Sequence, residues 1–390
     1  MKRRTKIALY IPALETGGIE RSLVNTANLL SESNYSVIVI TSKFSDVVST
    51  KLKDDIEVID LQSDEQKAST PLLKWLFQDR SLKAINTIWM TRNVIRSYQP
   101  DVIIAFQSGT ICALILNSLR TSRPKFVLRE SNTPSLALRS KYFVILRIKK
   151  ILKKWAYKNA DQLIAISEGV ARDMIENFSA SPLKTRVIYN PTVNAELFAK
   201  KVDSLDDKSY RPDTTNFVAV GRLVYQKDHG TLLRAFREVV NRRSAHLTII
   251  GDGEDRARLE KLVIDLELGP YTTFLGAVKN AYPHIKTADI FVLSPRYEGL
   301  GNVFIEALAL GTPVISTDCP SGPREILLDG EAGILTPVGD HSALAEAMMV
   351  YIDDEELRNK HLKFGLLNSI PRFTSEAARQ SFDDLLVSLR

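Results

Sequence analysis

Apolar and polar positions along the chain fall into two long alternations of short apolar runs and helical stripes. The first predicts strands over 6–12, 37–41, 56–61, 101–106, 125–128, 162–166 and 186–189. Each is a compact run rich in Ile, Val, Leu or Phe, bounded by turn residues. Between them, helical spacing appears over 19–30, 71–98, 110–119 and 142–158. The second alternation starts at Phe217 and continues with strands over 247–250, 273–275, 290–293, 314–316 and 333–335. Helical patterns over 342–351, 355–366 and 375–389 finish the chain. Strands alternating with helices predict parallel, doubly wound sheets, an α/β class of fold. A polar stretch with Asp203, Asp206, Asp207, Lys208 and Pro212 separates the two runs. We therefore expect one Rossmann-like domain over 1–195, a linker over 196–215, a second such domain over 216–372 and a closing helix over 373–390. Two doubly wound domains can face one another across a cleft, and ligands of open α/β sheets bind at strand carboxyl ends.

The stretch 294–316, SPRYEGLGNVFIEALALGTPVIS, follows one predicted strand and runs into the next. Gly299 and Gly301 make a turn, Val303, Phe304, Ala307, Leu308 and Leu310 repeat with helical spacing, and Gly311 and Pro313 stop the helix. Strand, glycine turn and helix point backbone N–H groups over the strand end, a place for a phosphate. Glu298 and Glu306 frame the turn. Carboxylates repel a bare anion but accept hydrogen bonds from hydroxyls, so the pair favours a ligand carrying both phosphate and hydroxyl groups. Two solvated surface glutamates are the plain alternative. Upstream, Arg222 and Lys227 follow the first strand of the second alternation, five positions apart. A guanidinium and an ammonium so placed can neutralise a diphosphate together.

Glu298 and Glu306 form the E-x7-E pattern, and the chain resembles the retaining glycosyltransferases of family 4, which have the GT-B fold. The segment 220–227, VGRLVYQK, is similar to that family's diphosphate-binding segment. Segment 250–254, IGDGE, and the glycine turn 17–21, GGIER, resemble two more of its turns. The resemblance implies catalytic roles for Arg222, Lys227 and Glu298, the two cations stabilising the leaving diphosphate. It implies donor contacts from Gly17, Gly18, Gly251, Gly253, Gly299, Leu300, Gly301, Asn302 and Val303, with Glu306 on the ribose. Several relatives place a His in the first domain. Here the comparable loop, 129–134, reads RESNTP, and all five histidines lie in the second half. Arg129, Glu130 and Asn132 are then candidates for positioning the acceptor, and Glu130 also for a base. Segment 319–326, CPSGPREI, looks like members that build bacterial lipid-linked glycans. The implied donor is UDP-GalNAc or UDP-GlcNAc, used as a substrate, and the implied acceptor is a polyprenyl-diphosphate-linked saccharide. Rivals of similar architecture are a sugar-nucleotide epimerase and a phosphorylase. A membrane-attached scaffold without turnover is the non-enzymatic one.

Composition adds a location. Residues 1–190 carry 29 Lys+Arg against 17 Asp+Glu, a net +12, and the remainder carries 23 against 29, a net −6. A basic first half suggests an anionic partner. The helix over 142–158 sets Tyr142, Ile145, Ile148, Leu152 and Trp155 on one face and Arg147, Lys150, Lys154 and Lys158 on the other. This predicts an apolar face packed on the sheet and a charged face that is either simply solvated or lies on an anionic membrane. No aromatic platform or nucleic-acid motif is visible, so nucleic acid is not expected. Cys112 and Cys319 are too far apart in sequence to suggest a disulfide framework, and no metal-ligand spacing occurs, so no metal or other cofactor is expected. Lys2, Arg3 and Arg4 precede an apolar run, but Pro12 and Glu15 mark it as a core strand rather than a leader. No apolar run reaches transmembrane length. The expected place is the cytoplasm, peripheral on the inner face of the cytoplasmic membrane.

Overall fold

The computed structural model describes residues 3–14, 17–33, 35–43, 51–61, 90–106, 123–138, 143–199 and 210–389. Among these, a first parallel sheet is built from β1 (Lys6–Ile11), β2 (Ser36–Thr41), β3 (Glu57–Asp60), β4 (Val102–Phe106), β5 (Lys125–Glu130), β6 (Gln162–Ala165) and β7 (Thr185–Val187). Their spatial order is β3-β2-β1-β4-β5-β6-β7. A second parallel sheet holds β8 (Thr215–Val220), β9 (Ala245–Ile250), β10 (Thr272–Gly276), β11 (Ile290–Leu293), β12 (Val314–Thr317) and β13 (Ile334–Thr336), ordered β10-β9-β8-β11-β12-β13. Both sheets are doubly wound. The central strands are apolar almost throughout, because helices cover both faces of such sheets. β4, β9 and β11 are buried at every residue.

The expected strands appear with ends shifted by one or two residues, as fraying at element ends produces. The helices that matter below are α1 (Gly18–Glu32), α2 (Phe143–Asn159), α3 (Glu168–Phe178), α4 (His229–Val240), α5 (Asn302–Ala309), α6 (His341–Asp353), α7 (Glu355–Asn368) and α8 (Ser375–Ser388). Asp340 and Asp354 cap α6 and α7, accepting from the backbone N–H of Ala343 at 2.9 Å and of Leu357 at 2.8 Å. Of the helix expected over 71–98, residues 90–98 are helical, and 71–89 lie outside the described residues. So do the helix expected over 110–119, Tyr142, and most of the polar stretch between the two alternations.

The chain divides into two compact units. One takes the chain up to Ile166, Val170–Pro191 and everything from Ala378 onward. Within it, Ala378, Phe382, Leu385 and Leu386 of α8 join Leu23, Ala27 and Leu30 of α1 in one core cluster. Tyr35 donates to Asp383 at 2.8 Å, and Arg379 pairs with Glu32 at 2.7 Å. The other unit takes Ser167–Gly169 and Thr192–Ala377.

The orientation of α2 overturns the expectation from its pattern. Its faces are segregated as the sequence implied, but the apolar ridge points outward. Val144, Ile145, Ile148, Ile151 and Leu152 are all exposed. The side turned to the protein carries Ala156 and Tyr157, both buried, and Lys153, which pairs with Glu130 at 3.0 Å. Tyr157 meets Phe178 of α3 edge-on, with ring centroids 6.0 Å apart. Lys150 lies 5.5 Å from the Phe178 ring centre, and Lys154 donates to Ser179 Oγ at 3.3 Å. A partly buried ion pair and an aromatic contact hold this face, and neither registers in an apolar periodicity.

Candidate active site

In a doubly wound sheet, the crevice opens where neighbouring strands send their connections in opposite directions. In the second sheet that place lies between β8 and β11. The loop after β8 carries Arg222 and Lys227, and the loop after β11 carries Glu298. The structure brings Lys227 and Glu298 into a direct ion pair between Nζ and Oε1. Both are largely shielded, with side-chain exposures of 15% and 7%. Arg222, in the same loop, is exposed.

Several bonds knit the two loops together. Arg296 N–H donates to the Gln226 carbonyl at 2.8 Å, and Gln226 Nε2 donates to the Tyr297 carbonyl at 3.0 Å. Ser294 Oγ donates to the Asp228 carbonyl at 2.8 Å. Asp228 adopts the left-handed region with φ 46, which Asp tolerates better than most residues. Its carboxylate accepts from Thr231 Oγ1 at 2.8 Å and pairs with Arg296 at 2.8 Å. The Arg296 guanidinium in turn stacks 4.6 Å over the Tyr225 ring. None of these residues was singled out from sequence. The available signal was an Asp just ahead of the helical pattern of α4, which reads as an ordinary helix start. Asp228→Ala should cost about 1–3 kcal/mol by stripping the partners of Thr231 and Arg296. A further ~1 kcal/mol comes from placing Ala in the left-handed region. Urea unfolding checks this, and Asp228→Asn, which keeps the backbone tolerance, should lose less.

The glycines do two kinds of work. Gly251 sits at φ +139, and a Cβ there would stand 2.0 Å from the Gly221 carbonyl oxygen. A Cβ on Gly253 would stand 2.3 Å from that of Leu223. Both are needed so that the β9 loop can pack on the β8 loop. At α5, Gly301 opens the helix at φ +89 with no side-chain cap. The backbone N–H groups at such a start have no partners within the helix itself. Leu300 is buried, so its side chain does not face a donor. Asn302 and Val303 occupy the first turn, and Glu306 is on the next, 6% exposed. The Gly299 carbonyl accepts from Ser167 Oγ at 2.6 Å. In the first unit, Gly17 is extended at φ −174, and a Cβ on Gly18 would meet nothing within 4 Å. Neither glycine is demanded by the local backbone.

Two buried titratable groups border the loops. His229 is wholly buried, and burial, with the Lys227 charge second, pushes its pKa down to about 4. Burial, with Glu298 second, pushes the Cys319 thiol up to about 12, so it is an unreactive core thiol.

The end of β5 corrects one expectation. Arg129 has no exposed surface and cannot touch an acceptor. Its guanidinium donates to Ser22 Oγ at 3.0 Å and Asn190 Oδ1 at 2.6 Å and lies 4.7 Å from the Phe106 ring centre. Burial pulls its pKa down to about 9. It ties α1 and the end of the Val170–Pro191 segment to β5. Glu130 is engaged by Lys153, and Asn132 is partly exposed. Among the described residues, no group of three or more His, Cys, Asp or Glu is placed to hold a metal ion.

Comparison with known proteins gives the family and the fold. The family model "Glycosyltransferase Family 4" matches residues 16–193, and "Glycosyl transferases group 1" matches 206–365. An uncharacterised glycosyltransferase of Methanocaldococcus jannaschii is 30% identical, over 82% of this chain and 86% of its own. A Campylobacter jejuni protein is 26% identical, over 91% and 92%. It is named N-acetylgalactosamine-N,N'-diacetylbacillosaminyl-diphospho-undecaprenol 4-alpha-N-acetylgalactosaminyltransferase. The crystal structure of Anabaena HepE in complex with UDP and glucose superposes with a TM-score of 0.77 at 19% identity, over 99% and 100% of the chains.

Proposed function

The chain belongs to glycosyltransferase family 4, and from that premise we propose that it is a retaining enzyme moving an N-acetylhexosamine from a UDP-sugar to a polyprenyl-diphosphate-linked saccharide. The observation that carries the reading is the Lys227–Glu298 pair at the crevice of the second sheet. A diphosphate reaching Lys227 offers the ammonium a stronger counter-charge, and Glu298 is then released to accept from sugar hydroxyls. Arg222, exposed in the same loop, adds a second cation. As the bond from the anomeric carbon to the phosphate oxygen breaks, charge grows on the diphosphate, and these cations stabilise it. The acceptor oxygen bonds the same face of that carbon, and its proton passes to the leaving phosphate oxygen. UDP departs, and no side-chain base is needed. Glu306 and the α5 backbone take the nucleotide and sugar. Gly17, Gly18 and Asn132 are assigned to the donor and acceptor surfaces of the first unit. The N-acetylhexosamine and the lipid-linked acceptor are supported by the name of the Campylobacter relative, and UDP by the contents of the HepE structure. The acceptor's lipid places the enzyme peripherally on the inner face of the cytoplasmic membrane.

A panel of nucleotide sugars tests this, scored for donor loss and for transfer to lipid-linked saccharides. Transfer from a UDP-N-acetylhexosamine with the anomeric configuration kept is the expected result. Donor loss without a sugar acceptor would indicate an epimerase, dependence on free phosphate a phosphorylase, and no turnover a scaffold. The proposal includes no metal, since the sequence carries no metal-ligand spacing. Activity should therefore persist in EDTA, and loss restored by Mg²⁺ or Mn²⁺ would refute that part.

A further inference from the structure

We infer that α2 inserts its apolar ridge into the surface of an anionic bilayer, rather than resting on it by charge alone. Val144, Ile148 and Ile151 stand at i, i+4 and i+7, and Ile145 and Leu152 run beside them seven positions apart. Their exposures are 66%, 50%, 64%, 43% and 40%. The ridge is contiguous on one helix, whereas scattered single exposed apolar residues are ordinary. The opposite side of α2 is already held by the Lys153–Glu130 pair and the Tyr157–Phe178 contact, so the ridge is not waiting for the protein's own core.

Charge names the occupant. The 17 residues of α2 include Arg147, Lys149, Lys150, Lys153, Lys154 and Lys158 and no Asp or Glu. Arg147, Lys154 and Lys158 lie along one edge of the ridge and Lys149 along the other, while Lys150 turns toward Phe178. An apolar strip edged by cations matches acyl chains beneath anionic headgroups, the arrangement of a helix lying in the interfacial plane. Lys and Arg reach the headgroup level while their stems stay with the apolar strip. A second copy of this chain fits poorly, because joining two such ridges would bring the two sets of cations together. The helix is too short and too charged to span. The inference concerns a surface of the first unit and stands whatever the donor or reaction.

The two forces separate experimentally, because salt screens headgroup attraction and leaves apolar burial. The probe is co-sedimentation of the full chain with vesicles of phosphatidylethanolamine and phosphatidylglycerol at low and high salt. Wild type should bind at low salt and keep a measurable part of that binding at high salt. Ile148→Asp/Ile151→Asp should bind on the order of tenfold more weakly at low salt and lose the salt-resistant part, with an unchanged melting temperature because both positions are exposed. Trp155, next along the ridge and partly exposed, supplies a depth gauge. Lipids brominated in the acyl chain should quench wild-type fluorescence, and Trp155→Phe should remove that component. Equal binding by the double variant, complete loss of wild-type binding at high salt, or no quenching through Trp155 would each overturn insertion. Dimerisation that the double variant abolishes would show that a second copy covers the ridge and would overturn it equally.

Discussion

Lys227→Ala should lower kcat/KM about 10²–10³-fold, the range for removing one preorganised group that stabilises a developing anion. The side chain is 15% exposed and already aimed at a carboxylate. Its charge therefore acts where water screens little, and it needs little reorganisation to meet a diphosphate. Arg222→Ala should lower turnover too, but less, because the exposed guanidinium is better solvated and less fixed. The Lys227 variant also leaves Glu298, 7% exposed, without its ammonium. Stability must therefore be measured beside activity. Breaking a shielded pair on one side is destabilising, so a moderate drop in melting temperature is expected. Lys227→Ala/Glu298→Gln should regain part of that stability and none of the turnover. Near-normal kcat/KM in both Lys227→Ala and Arg222→Ala would show that the diphosphate binds elsewhere.

Glu298→Gln and Glu306→Gln should fail in different ways, each by about tenfold or more, since hydrogen bonds to charged groups contribute ~1.5–3 kcal/mol. On the proposed reading Glu298 meets the reacting sugar, where its bonds would tighten as the anomeric carbon becomes cationic. Losing an interaction made mainly in the transition state lowers kcat. Glu306 lies one turn into α5, 6% exposed; on the proposed reading it serves the ribose, remote from the breaking bond. Its loss removes binding shared by ground and transition states and should raise KM for the nucleotide sugar more than it lowers kcat. Gln preserves shape and one acceptor at each position. Steady-state kinetics at saturating acceptor, with calorimetry of free UDP, separates the two. UDP affinity should fall for Glu306→Gln and hold for Glu298→Gln. The opposite pattern would exchange the roles, and normal kinetics in both would remove the carboxylates from the site.

The two alternations of apolar runs and helical stripes carry the α/β class because a parallel strand covered on both faces must be apolar throughout, and that constraint is local to each run. The strand–glycine–helix stretch around Gly299 and Gly301 is legible for the same reason: turn, strand and helix signals all act over a few residues. Lys227 and Glu298 could each be named from sequence, yet their pairing across 71 positions follows only from β8 and β11 lying side by side. Asp228 and Arg296 escaped notice because they pair with each other across two loops, and no periodicity links them. Arg129 looked like a polar loop residue, whereas the fold encloses it between Ser22 and Asn190. The amphipathic pattern of α2 was plain from its residues, but a pattern states only that two faces differ. Which face meets the protein depends on what stands opposite, and Glu130 and Phe178 claim the side bearing Lys153 and Tyr157. Their contacts leave the isoleucines outside, a choice that side chains far apart in sequence make only once the sheet has brought them together.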